Sequence, residues 1–252
     1  SFALNVTEKT RAVYISDLEI KLQPAIHQGK KHFIVVLNLA TTMFGSVDDI
    51  DKISDLLEFQ QLDYKIHIDA AFGGFIYPFT NSNSKFTFAN PYVNSISLDG
   101  HKMMQAPYGT GIFLIRKNYM KYVCTTEASY VQGMDYTLCG SRSGANAICL
   151  WMIFHSHGSV GWSVKMNQLL EKTTEVCKKL DALGVAYYRN PFLNIISIKS
   201  QFISAALAKQ FFLVPDTHTD ITNWYKIVVM PHVKDEILDD FIAQLATSLK
   251  QK

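Results

Sequence analysis

The chain has 252 residues, 48% of them hydrophobic, and a formal net charge of +2 with its basic residues scattered. That is material for one large domain or two modest ones around a real core, and it lacks the electrostatic footprint of a DNA, RNA or anionic-membrane binder. No apolar run is long enough to span a bilayer. Cys124, Cys139, Cys149 and Cys177 show neither a CxxC nor a metal-ligand spacing, so reduced thiols of a cytoplasmic protein are expected.

In chain order, Ser16 is a candidate N-cap for a helix running to Gln28-Gly29. Phe33 to Leu37 is apolar without alternation and predicts a strand buried on both faces. Asp48-Asp49 opens a helix to about Gln60, and Tyr64 to Ile68, Val93 to Leu98 and Gly111 to Ile115 predict three further strands. Strands joined by helical connections argue for a mainly parallel α/β sheet with ligands at the carboxyl ends of its strands.

An apolar helix with Trp151 then runs from Gly144 to about His155, Gly158 to Gly161 breaks it, and an amphipathic helix follows from Trp162 to Leu183, ended by Gly184. Strands at Asn194 to Ile198 and Trp224 to Met230, a helix around Ser204 to Gln210 and a last helix from Asp235 to about Leu249 predict a small α+β unit. The expected division is residues 1–158 and 159–252.

Two of the predicted strands end in chemistry. His67-Ile68-Asp69-Ala70-Ala71-Phe72-Gly73-Gly74 closes one with a carboxylate and small residues, and Ser95-Ile96-Ser97-Leu98-Asp99-Gly100-His101-Lys102 closes another with a lysine. A lysine can form a Schiff base with the aldehyde of pyridoxal phosphate, and an aspartate can keep the pyridine nitrogen protonated. Each feature also has a plainer use: His-Lys pairs are usually solvated turns, and Asp after a strand commonly caps a turn. Trp151, Trp162 and Phe211-Phe212 are read as core, and His155-Ser156-His157 as a helix-end pair without a third zinc ligand.

Five blocks in order carry a resemblance: Ala40 to Ile50, His67 to Gly74, Ser95 to Lys102, Gly140-Ser141-Arg142-Ser143-Gly144, and Val229-Met230-Pro231-His232. Over nearly its whole length the chain resembles the group II pyridoxal-phosphate-dependent amino-acid decarboxylases. The resemblance implies the type I aminotransferase-like fold, with a large domain built on a mainly parallel sheet and a C-terminal α+β domain. It implies Lys102 as the lysine that binds the cofactor, Asp69 as partner of the pyridine nitrogen, and Ala71 against the ring face. It places His101 and Asp99 near the phosphate, Thr41 near the ring oxygen or the aspartate, and Tyr130 as proton donor on a loop. Ser141 and Arg142 would brace the site from the domain junction or a dimer interface, and His232 would be structural.

The family's Gly/Ser/Thr-rich phosphate loop and its ring-stacking histidine have no counterpart before Phe33, so an N-terminal part is expected to be missing and supplied by a longer chain or a second polypeptide. The implied activity is decarboxylation of an L-amino acid by a homodimer, with histidine or an aromatic amino acid favoured. The run from Tyr130 to Gly144 is nearest the bacterial histidine decarboxylases, and Phe72-Gly73-Gly74-Phe75 is similar to archaeal tyrosine and aspartate decarboxylases. Two alternatives stand beside it: a non-catalytic or incomplete subunit, and a carbon–carbon lyase of the sphingosine-phosphate-lyase type.

Overall fold

The computed structural model describes residues 3–124, 134, 136, 142–216 and 221–250. The first sheet has strands β1 (His32–Asn38), β2 (Asp63–Asp69), β3 (Val93–Asp99) and β4 (Gly111–Ile115), in the order β1-β2-β3-β4. The first three are parallel and β4 is antiparallel to β3. Helix α2 (Ile50–Phe59) connects β1 to β2, and helix α1 (Ile15–His27) precedes β1. Asp49 caps α2 by accepting the Lys52 amide at 3.2 Å. Its neighbour Asp48 turns inward instead: it is buried and accepts Val13 N, Asn38 N and Asn38 Nδ2 at 3.0, 2.8 and 3.1 Å.

Leu18 and Leu22 of α1 and Ile53 and Leu57 of α2 pack on Leu37, Ile66, Ile68 and Ile96 of the sheet. This covers one face. The expectation that β1 is buried on both faces is corrected: Ile34 is 82% and Val36 57% exposed. They share their face with His67, Asp69, Ser95, Ser97 and Phe113, as the strand register dictates.

After β2 come a 3₁₀ turn at Gly73–Phe75 and the short α3 (Tyr77–Thr80). Gly73 is a steric requirement, since a Cβ there would lie 2.3 Å from Leu39 O, whereas one on Gly74 would lie 2.0 Å from the side-chain carbon Leu98 Cδ2. Helix α4 (Gly144–Ala182) is capped by Ser143 and interrupted at Gly158, whose φ of 58° and ψ of −177° are not helical. The break thus falls within the predicted stretch, at a residue suited to a left-handed backbone.

The second sheet has the order β5-β6-β8-β7, from β5 (Tyr187–Tyr188), β6 (Ile195–Lys199), β7 (Val214–Pro215) and β8 (Trp224–Val228). Helices α5 (Ala205–Gln210) and α6 (Asp235–Lys250) complete this part. Leu193, Ile196, Ile198, Leu180 and Phe241 share one core with Phe75, Met103 and Met104, so the segment carrying Lys102 is anchored in apolar packing. Trp162 is buried and donates its indole N–H to Phe75 O at 2.6 Å. Trp151 and Phe212, expected in the core, are 62% and 88% exposed. Trp151 lies on an outward face of α4, stacked on His155 with ring centroids 5.0 Å apart, and Phe212 sits in a turn at φ 52°.

Candidate active site

The carboxyl ends of the parallel strands open into a cleft of about 560 Å³, walled in part by Thr41, Asp69, Ala71 and Lys102. Asp69 is the last residue of β2, opposite Asn38 of β1. One of its carboxylate oxygens accepts the Ala71 amide at 3.1 Å, an Asx-type turn that aims the chain past the cleft. Ala71 O in turn accepts Asp99 N at 3.2 Å, tying the end of β3 to the same turn.

Lys102 follows β3 in a tight turn. Its amide reaches Asp99 O, Gln105 N returns to Lys102 O at 3.1 Å, and the next two side chains, Met103 and Met104, are buried. Burying its neighbours fixes the lysine's backbone while its own side chain faces the cleft. Lys102 Nζ lies 2.8 Å from Asp99 Oδ2, which in turn is 3.9 Å from His101 Nε2. His101 and Asp99 are outside the cleft lining, and Asp99 reaches the cleft through its ion pair with Lys102. His101 packs edge-on to Tyr108, and its Nδ1 is buried without a hydrogen-bond partner among the described residues.

Thr41 is held in the loop after β1. Its hydroxyl lies 2.7 Å from Ser46 Oγ and accepts Ser46 N at 3.1 Å. Ser46 is buried and went unnoticed in the sequence; the signal was its place four residues after Thr42 in the same turn. Of the two hydroxyls, one donates to the other and the second keeps a proton for a further acceptor.

Two residues before Asp69, His67 has Nδ1 2.8 Å from Ser95 Oγ and Nε2 3.2 Å from Ser97 Oγ, and it stacks on Phe113. Burial pushes its pKa below the ordinary histidine value against an opposing pull from Asp69, and it lies outside the cleft lining. Lys226 of β8 was not singled out from sequence. It lines the cleft, donates to Thr42 O at 2.9 Å, and has its pKa held below the usual lysine value by burial and by Lys102. Arg11 and Phe44 also line the cleft and were missed, because nothing local in a polar hairpin or a loop marks a residue that a distant strand meets.

The structure therefore gathers Lys102, Asp69, Ala71 and Thr41 on one cleft and joins Asp99 to it through Lys102. Tyr130 and Ser141 lie outside the described residues. Arg142 is described, is exposed and is absent from the cleft lining. His232 Nδ1 lies 2.9 Å from Gln105 Nε2, a contact between the turn after Lys102 and the segment after β8. An amine, a carboxylate, a hydroxyl pair and a flat small-residue wall can hold a planar heterocycle with an aldehyde and a protonatable nitrogen.

A sequence profile described as the pyridoxal-dependent decarboxylase conserved domain matches residues 3–186. A tryptophan decarboxylase of Clostridium sporogenes is 47% identical over 94% of this chain and 57% of its own length. A probable L-tyrosine/L-aspartate decarboxylase of Methanocella arvoryzae is 32% identical over 86% of this chain and 58% of its own. Among solved structures, an L-methionine decarboxylase of Streptomyces superposes with a TM-score of 0.77 at 21% identity, over 94% of this chain and 57% of the other. A sphingosine-1-phosphate lyase of Burkholderia pseudomallei superposes at 0.79 and 18% identity, over 99% and 57%. At such identities the structural likeness speaks for the shared fold alone. The chain spans a little over half the length of these relatives.

Proposed function

Because this chain belongs to the pyridoxal-dependent decarboxylase family, we propose that it is the lysine-bearing part of an L-amino-acid decarboxylase that uses pyridoxal 5′-phosphate and acts on an aromatic amino acid. The observation that carries the reading is Lys102 and Asp69 on one cleft, at the carboxyl ends of adjacent parallel strands. The aromatic preference rests on the relative at 47% identity and on Phe44 and Phe72 in the cleft wall.

The residues present fit the cofactor. Lys102 would attach it through Nζ, Asp69 would hold a proton on its ring nitrogen, and Ala71 leaves room for a flat ring. His101 lies outside the cleft lining, and its buried, unpartnered Nδ1 is the polar group beside Lys102 that would suit a phosphate oxygen. Once bound, pyridoxal phosphate supplies an electron sink beside the substrate's Cα, so the electron pair left by departing carbon dioxide is stored.

The chain's own groups do the rest. Asp99 positions the Lys102 amine through their 2.8 Å contact, and that amine is the chain's nucleophile. Asp99 thus acts through the lysine, which suits its charge better than contact with a phosphate. Lys226, its pKa lowered by burial and then by Lys102, adds positive charge to the cleft and favours an anionic substrate group there. The hydroxyl pair of Thr41 and Ser46 offers one proton toward the ring. Tyr130 would deliver the proton to Cα. The working unit would be a homodimer, and the exposed apolar Ile34, Val36, Phe113 and Trp151 support it.

Incubation with pyridoxal phosphate, borohydride reduction and peptide mapping by mass spectrometry tests this. Modification at Lys102 that is lost in Lys102→Ala, with tryptophan or tyrosine converted to its amine by the complete enzyme, is the expected result. Labelling spread over surface lysines and unchanged in Lys102→Ala would refute it.

A further inference from the structure

Arg11 stands at the turn of a hairpin closed by the Val6 and Val13 bridge, with its backbone in the left-handed region at φ 56°. An arginine is a costly choice there, because its Cβ crowds the following carbonyl where glycine would not. The side chain then packs against aromatic rings. Its guanidinium carbon lies 4.8 Å from the centroid of Phe44 and 5.2 Å from that of Trp224, and those two rings meet edge to face at 5.4 Å.

Those rings orient the cation without offering it an oxygen acceptor. Among the described residues Arg11 has no ion pair and no side-chain hydrogen bond, and its Nε is buried without a partner. The carboxylates that share the cleft are spent elsewhere. Asp216 accepts the amides of Asn223 and Trp224 at 2.8 and 3.0 Å, and Asp69 accepts Ala71 N. A guanidinium with its donors open, on the wall of the cleft that holds Lys102, lacks an anion.

We propose that Arg11 is a specificity-determining residue of this cleft, receiving the carboxylate of an amino acid whose aromatic ring lies along the wall that includes Phe44. This rests on the decarboxylase reading above, which makes the ligand an amino acid. The pairing of cation and aromatic faces suits a carboxylate joined to a ring better than a bare phosphate. Holding the carboxylate is a ground-state interaction, so its loss raises KM more than it lowers kcat.

The test uses indole-3-propionate and its neutral amide, titrated into the full chain by calorimetry. The acid is expected to bind about tenfold more tightly than the amide, the size of one charge-assisted hydrogen-bond pair. Arg11→Gln removes that preference and leaves the affinity for the amide within about twofold. Arg11→Gly does the same, and because the ease of glycine at φ 56° opposes the loss of the ring contacts this variant stays folded, with its melting measured alongside to separate recognition from folding. Inorganic phosphate at millimolar concentration does not displace the acid.

An acid preference that survives in Arg11→Gln, or competition by phosphate on equal terms, overturns the inference. Borohydride labelling keeps the two readings apart. Lys102 labelled with no acid preference in the parent chain sinks the role of Arg11 alone; an acid preference without Lys102 labelling sinks the cofactor reading alone.

Discussion

Asp48 gives the sharpest stability test. Replacing it with alanine strands three donors, Val13 N, Asn38 N and Asn38 Nδ2, around a side chain that is 4% exposed. A buried donor left unmet costs about 1–3 kcal/mol, and because Val13 and Asn38 are only partly buried the sum belongs near the low end, about 3 kcal/mol. Asp48→Asn should recover little, since its amide NH₂ must face one of the same N–H groups. With a urea m-value of about 2 kcal/mol/M the midpoint falls by about 1.5 M. The assay is urea unfolding followed by circular dichroism. Because Asn38 lies opposite Asp69 and Asp48 pins the loop that bears Thr41, Asp48→Ala should also slow borohydride capture at Lys102. A midpoint shift below about 0.5 M, or an asparagine variant as stable as the parent, would refute the argument.

The glycines of the turn after Asp69 should differ in tolerance: Gly73→Ala drives a Cβ into a backbone carbonyl and should cost about 3 kcal/mol or more, whereas Gly74→Ala meets a leucine methyl that can rotate away and should cost about 1–2 kcal/mol, both read from melting. Lys226 carries a depressed pKa, so the unfolded chain binds more protons between that value and the ordinary 10.5, and its contribution to stability rises with pH across that window. The stability of the parent minus that of Lys226→Met should therefore increase toward pH 10.5, and a flat or falling difference would contradict it. Cys177 is buried, and burial pushes its thiol above the usual range. Alkylation at pH 8 should modify it only after unfolding, ahead of which the half-buried Cys124 and Cys149 react; native labelling of Cys177 at their rate would show the core to be open.

Local chemistry made much of this protein legible from sequence. Asp49 opens α2 as expected, because a short polar side chain can reach an amide three residues on; Ser16, expected as the cap of the first helix, instead lies inside α1, whose N-cap is Tyr14 with no side-chain hydrogen bond. Gly158 breaks a helix and Gly184 turns positive in φ beyond one, since neither needs to place a Cβ. Lys102 and Asp69 declared themselves because a strand followed by a lysine turn, and a strand followed by an aspartate and small residues, are local patterns with a limited set of uses.

The rest depends on who meets whom. An apolar run such as Phe33 to Leu37 states that β1 belongs in a sheet and is silent on whether both faces are covered; α1 and α2 cover only one. Asp99 turned from a phosphate candidate into the partner of Lys102 because the turn after β3 folds the lysine back over it. Arg11, Phe44 and Trp224 come from a hairpin, a loop and a distant strand, and their cluster exists only after both sheets have formed. Composition and order of residues determined most of the elements and the placing of Asp69 and Lys102 just at or after strand ends, since those are settled within a few residues along the chain. Burial, ion pairing and the walls of the cleft were decided by tertiary structure, since they are properties of contacts between segments far apart in sequence.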